Sequence, residues 1–148
     1  MKGNKVYREA AARRTRILIV EDERDLAGLM QVVLEDEGYE VAVHPSGDCF
    51  DLLRRFEPDL MICDYMLPVY DGEAVIRRVR RDFSPNLPII MASAVSRADQ
   101  EWRSWGADDF LLKPFDIGRL MAVVDRAAGN DAQRWSPGTA EAAGEQAS

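Results

Sequence analysis

The chain has 148 residues, 47% of them hydrophobic and 30% charged, with a net charge of −7, the composition of an ordinary globular protein with core enough for one domain. No apolar run approaches the roughly 18 residues needed to cross a bilayer, and no signal-peptide pattern opens the chain, so no membrane association and a cytoplasmic location are expected. Residues 1–16 carry six basic groups against Glu9, a balance of +5, whereas residues 17–128 carry 12 basic groups against 22 acidic ones, a balance of −10; nucleic-acid binding through that acidic stretch is therefore not expected.

Taken in order, residues 1–15 read as a basic extension; residues 6–13 have helix propensity but no apolar stripe. A short apolar run at 17–20 reads as a strand and hands over to Glu21-Asp22-Glu23. Leu26, Leu29, Met30, Val33 and Leu34 then recur at helical spacing until Gly38. Residues 39–43 alternate as a second strand, with the lone His44 at its end in a surface or loop role. Ser46 is placed to cap a helix whose stripe is Cys49, Leu52, Leu53 and Phe56, and Pro58 stops it. The apolar run 60–63 delivers Asp64 into a loop containing Pro68 and Asp71-Gly72. Asp71 caps a third helix with Val75, Ile76 and Val79 inward and Arg77, Arg78, Arg80 and Arg81 on the exposed side, a solvated basic face.

Residues 84–88 are turn chemistry, and the run 89–92 ends at Ser93-Ala94. Val95, Ala98, Trp102 and Trp105 share one face of a helix over about 97–105, which Gly106 ends. The run 110–112 is followed by Lys113-Pro114, and Asp116 caps a last helix with Ile117, Leu120, Met121 and Val124 inward. From residue 129 the sequence loses periodicity and reads as a disordered tail. Cys49 and Cys63 lack a metal-ligand spacing and read as small buried hydrophobes. One domain over 16–128 is expected, with no internal repeat.

Strands alternating with helices imply a parallel sheet covered on both faces, whose carboxyl ends share one edge. Glu21, Asp22, Asp64, Ser93 and Lys113 each follow the end of an apolar run. They should therefore meet at that edge although they are up to 92 positions apart. Three carboxylates, a hydroxyl and an ammonium together suit phosphoryl chemistry supported by a hard divalent cation.

These same residues resemble the receiver domain of two-component response regulators. The likeness rests on Glu21-Asp22, on Cys63-Asp64-Tyr65-Met66-Leu67-Pro68 with Asp71-Gly72, on Ile90-Met91-Ala92-Ser93-Ala94, and on the stretch from Gly106 through Phe110 and Lys113 to Pro114-Phe115. It covers about 16–128. The resemblance implies an α/β, flavodoxin-like, doubly wound sheet of five parallel strands in the order 2-1-3-4-5, with helices on both faces. It implies that Asp64 accepts a phosphoryl group from a sensor histidine kinase or a phosphotransfer protein, with Lys113 and Ser93 contacting phosphoryl oxygens. Mg2+ would be held by Asp22, Asp64 and the backbone carbonyl of Met66, with Glu21 acting through water. It further implies a cis bond at Lys113-Pro114, and a switch in which Ser93 and Phe110 shift and repack the face of the last two helices and the fifth strand, so that a downstream protein or a second copy binds.

The chain departs from the family in places. Trp102 and Trp105 stand where smaller residues are more frequent, and they are expected either to pack beneath the fourth helix or to form an output surface. Met66 and Val95, two positions after Asp64 and Ser93, are apolar where the family tunes the attacking water, so slow loss of the phosphoryl group is expected. A rival reading makes this the N-terminal receiver of a longer DNA-binding response regulator. A hydrolase of the haloacid dehalogenase type would need a second Asp where Met66 stands, so turnover on an external substrate is not expected.

Overall fold

In the computed structural model, residues 13–94 and 96–129 are described. The expected short helix at 6–13 lies almost wholly outside these residues, and Val95 and the tail beyond 129 lie outside them altogether. Five strands and five helices alternate: β1 Arg16–Val20, α1 Arg24–Asp36, β2 Glu40–His44, α2 Phe50–Phe56, β3 Leu60–Asp64, α3 Gly72–Arg78, β4 Ile89–Ser93, α4 Ser96–Trp105, β5 Asp109–Leu112 and α5 Ile117–Ala127. All neighbouring strands are parallel, in the order β2-β1-β3-β4-β5. Reversal of strand order at β1 and β3 opens a crevice at their carboxyl ends.

Successive strand residues point to opposite faces, and this divides the core in two. Leu18, Val20, Met61, Cys63, Ile89 and Met91 face α2, α3 and α4, while Ile17, Ile19, Leu60, Ile62, Ile90 and Leu111 face α1 and α5. Full burial of such side chains stabilises by about 1.5–3 kcal/mol each, which is why both faces of the strands read as one continuous apolar run. Cys49 and Cys63 are buried thiols. Burial pushes the Cys49 pKa up to about 11 and that of Cys63 well above its ordinary value, so both stay protonated.

Asp71 and Asp116 accept from the backbone N–H of Ala74 and Arg119 at 2.9 and 2.7 Å, capping α3 and α5 as expected. Gly38 and Gly106 follow α1 and α4 with φ of +100° and +109°, left-handed values that suit glycine. Ser46 does not cap α2. Its hydroxyl bonds the Asp48 carboxylate, and the helix begins later, after Cys49. Leu29 and Ile117 lie at the rims of their apolar stripes and are about half exposed, whereas Val123 is fully buried on α5.

Arg80 differs most from expectation. The i→i+4 ladder of α3 gives way to a π turn over Val79–Phe83, in which the Ser84 N–H reaches the Val79 carbonyl at 2.8 Å. The wider turn aims Arg80 inward. Its guanidinium donates to the carbonyls of Gly106 and Ser84 and to Asp108, at 2.9, 3.1 and 2.9 Å, bolting α3 to the turn after α4. Arg77 and Arg81 do stay more than half exposed, and Arg78 is partly exposed, against Glu73 and Asp82.

Candidate functional site

Each strand of the crevice ends in a different polar group because its apolar run ends there. Glu21 follows β1 and is held by backbone on both sides: its own N–H donates to the His44 carbonyl at 3.0 Å, and its Oε2 accepts from the Glu23 N–H at 3.1 Å. Asp64 closes β3, Ser93 closes β4, and Lys113 follows β5, its N–H donating to the Ser93 carbonyl at 3.0 Å. Glu21, Asp64 and Ser93 are only 3%, 5% and 1% exposed, and Asp22 lies at the open side. The bond Lys113-Pro114 is cis.

Lys113 Nζ donates to Glu21 Oε1 at 2.8 Å and stands 3.3 Å from Asp64 Oδ2. One carboxylate oxygen from each of Glu21, Asp22 and Asp64 lies within 4.8 Å of the others. The cluster thus holds three carboxylates and one ammonium, a net deficit of two positive charges. Burial, and then the negative charge of Glu21, push the Asp64 carboxyl from 3.8 up to about 6, against the pull of Lys113. Burial alone would lower the Lys113 pKa, but the hydrogen bond to Glu21 and the charges of Asp64 and Glu21 outweigh it, and the net shift is upward. Hard oxygen donors grouped around an unbalanced negative charge fit a hard divalent cation that keeps several waters.

Two cavities flank this cluster. One, of about 360 Å³, is lined by Glu23, Leu26, Ala94, Lys113, Pro114 and Phe115. The other, of about 440 Å³, is lined by Asp22, Tyr65, Met66, Leu67, Pro68 and Asp71. Met66 reaches into solvent at 62% exposure. Beneath it the chain turns tightly, since the Gly72 N–H donates to the Tyr65 carbonyl at 2.7 Å and a Cβ on Gly72 would stand 2.5 Å from the Asp64 carbonyl oxygen.

Both tryptophans of α4 pack inward. Trp105 is buried and stacks on Tyr65, the residue after Asp64, with ring centroids 5.2 Å apart; Trp102 is half-buried and stacks on Phe110 at 6.2 Å. Phe110 is 8% exposed. Tyr65 escaped sequence reading because its partner is 40 positions away, although an aromatic beside an acidic strand end gave some cue.

Residues 17–125 match the family described as the response regulator receiver domain. A putative response regulator from Chloroflexus aurantiacus is 33% identical, with a TM-score of 0.74, over 79% of this chain and 99% of its own. The receiver domain of a signal transduction histidine kinase from Syntrophus aciditrophicus is 31% identical, with a TM-score of 0.72, over 78% and 91%. The response regulator TrrA from Thermotoga maritima, whose structure holds Mg2+-BeF, is 29% identical, with a TM-score of 0.70, over 76% and 98%. Match and crevice agree: this chain belongs to the receiver-domain family of two-component response regulators, whose members are signalling switches.

Proposed function

We propose that the receiver unit, taken as residues 16–128, is a phosphoacceptor switch in which Asp64 takes a phosphoryl group from a sensor histidine kinase or a phosphotransfer protein. The observation that carries this reading is the geometry around Asp64, a buried carboxylate 3.3 Å from Lys113 and grouped with Glu21 and Asp22. An Asp64 oxygen attacks phosphorus, the P–N bond to the donor histidine breaks, the histidine nitrogen keeps the electron pair, and an acyl phosphate forms. Asp22, Asp64 and the Met66 carbonyl would hold Mg2+, with Glu21 acting through water. The ion supplies two positive charges where three carboxylates would otherwise repel a phosphate.

Lys113 is released from its carboxylates to a phosphoryl oxygen, and Ser93 donates a hydrogen bond to another. Movement of Ser93 draws on β4 and α4, and Phe110 with its stacked Trp102 repacks the α4–β5–α5 face. Partner binding or self-association follows as a population shift between two packings. Trp105 acts from beneath that surface rather than on it, since it is buried against Tyr65. Met66 keeps the attacking water poorly oriented, which gives slow dephosphorylation. A cytoplasmic setting suits these chemistries. The same switch would serve a longer DNA-binding response regulator unchanged.

The test is light scattering and Trp fluorescence with Mg2+ alone and with Mg2+ plus beryllium fluoride, using Asp64→Asn as control. A change in mass or emission that Asp64→Asn abolishes is expected; no response from the unaltered protein would overturn the reading.

A further inference from the structure

In the loop that follows Asp64, Leu67 packs against the core and Tyr70 against Phe50, but the backbone at Val69 between them is not explained by its own side chain. Val69 has φ of +74°, a left-handed value that β-branched residues rarely adopt. The Tyr70 N–H donates to the Pro68 carbonyl at 2.9 Å, closing a three-residue turn of the rare, strained kind. Val69 is 67% exposed and Met66, three residues before it, 62%. Packing of these side chains therefore does not hold the turn. Backbone contacts hold it, together with the packing of Leu67 and Tyr70 on either side.

One such contact comes from the loop between β2 and α2. The Gly47 N–H also donates to the Pro68 carbonyl, at 2.9 Å, so that one oxygen ties Gly47 and Tyr70 together. A Cβ on Gly47 would collide with the Tyr70 carbonyl oxygen and stand 2.8 Å from its carbon. Both obstacles are backbone and cannot swing aside as a side chain could. Gly47 is itself buried, on a loop braced by the Ser46 N–H on His44 Nδ1 at 3.3 Å. His44 in turn accepts from the Glu21 N–H through its carbonyl.

The loop's two ends are fixed independently. The Tyr65 N–H donates to the Ala92 carbonyl at 3.2 Å, and the Gly72 N–H to the Tyr65 carbonyl. The segment from Met66 to Tyr70 is pinned between them by Gly47.

We infer that Gly47 is a positioning residue for the acidic site: its N–H, and the space its missing side chain leaves, hold the strained Pro68-Val69-Tyr70 turn and through it the backbone of Met66. The inference rests on the reading of Met66 as a carbonyl ligand of Mg2+. It gives a role to a glycine and a valine that touch neither the phosphoryl group nor the metal. It also ties the β2–α2 loop, which supplies no ligand, to metal affinity.

The test is a Mg2+ titration of the full chain followed by intrinsic fluorescence, with the thermal midpoint measured in chelator. Gly47→Ala is expected to weaken Mg2+ binding about tenfold, as loss of an outer contact to a metal site does. Val69→Gly relieves the strain but frees the loop, and is expected to weaken Mg2+ binding about threefold while the thermal midpoint holds or rises. In Val69→Gly a merely structural role would instead lower affinity and midpoint together. In the double variant, glycine at 69 lets the turn step away from the new methyl group, so part of the affinity lost in Gly47→Ala returns. Asp64-dependent Mg2+ binding by the unaltered protein, with both single variants equal to it, would overturn the inference alone. Absence of Mg2+ binding by the unaltered protein would overturn the site reading and this inference with it. Should Gly47→Ala fail to fold, Val69→Gly decides: weaker Mg2+ binding without a fall in midpoint supports the inference, and unchanged binding refutes it.

Discussion

The two edges of the sheet treat their carboxylates in opposite ways. At the amino edge each acid is matched to donors. Asp59 accepts from the Arg16 N–H at 2.8 Å and from Arg13 at 2.9 Å; Asp108 accepts from the Ile89 N–H and from Arg80, both at 2.9 Å; Asp109 pairs with Arg126 at 2.6 Å. At the carboxyl edge Glu21 and Asp64 share one lysine, with Asp22 grouped beside them, and Asp64 is pushed up to about 6. One edge closes the fold; the other stores unbalanced charge at the fold's expense. A signalling site can carry that cost because the opposite edge and the apolar faces supply the stability.

Substitutions that remove charge should therefore have opposite signs at the two edges. The largest effect is expected from Asp108→Ala, which leaves the Ile89 N–H without its acceptor and removes one of the three acceptors of the inward-turned Arg80. Charge-assisted bonds of this kind are worth about 1.5–3 kcal/mol each, and with half of Asp108 open to solvent a loss of about 3 kcal/mol in total is expected in urea unfolding.

Next comes Asp64→Asn, which should stabilise. Because the folded protein holds the Asp64 proton more tightly than the unfolded chain does, stability contributed by this group is lost as pH rises from 3.8 to about 6 and stays lost above it. In chelator at pH 8 the substitution is expected to raise stability by about 2 kcal/mol, less than the full linkage because contacts to Lys113 go too. Below pH 4 the gain should vanish. A substitution that destabilised at pH 8, or gained equally at both pH values, would remove the contrast between the edges. The smallest effect is expected from Arg81→Ala, whose pair with Asp82 lies on the open side of α3; an unchanged unfolding midpoint would show that charge matters here only where backbone or burial fixes it.

Much of this was legible in the sequence, for identifiable reasons. The runs at 17–20, 60–63 and 89–92 are apolar on both faces because helices cover both, so strand placement followed from composition alone. Glu21, Asp64, Ser93 and Lys113 could be brought together because parallel strands put their ends on one edge. What stayed hidden depended on geometry that side-chain type does not encode. The π turn that redirects Arg80 has no residue signature, and the stacking of Trp105 on Tyr65 links segments 40 positions apart. Gly47 gave no signal because its close approach to Tyr70 is a property of two backbones.

The position of the unit's two ends has a separate consequence. β1 starts, and α5 finishes, at the amino edge, where Arg126 near the end of α5 pairs with Asp109 at the start of β5. A strand of five residues is about 17 Å long, so polypeptide joined at either end departs from the pole farthest from Asp64. Cargo can be hung on this unit at both ends while the acidic mouth stays open to a visiting donor, which makes the unit portable: it can be fused to other proteins without the fusion standing in the doorway.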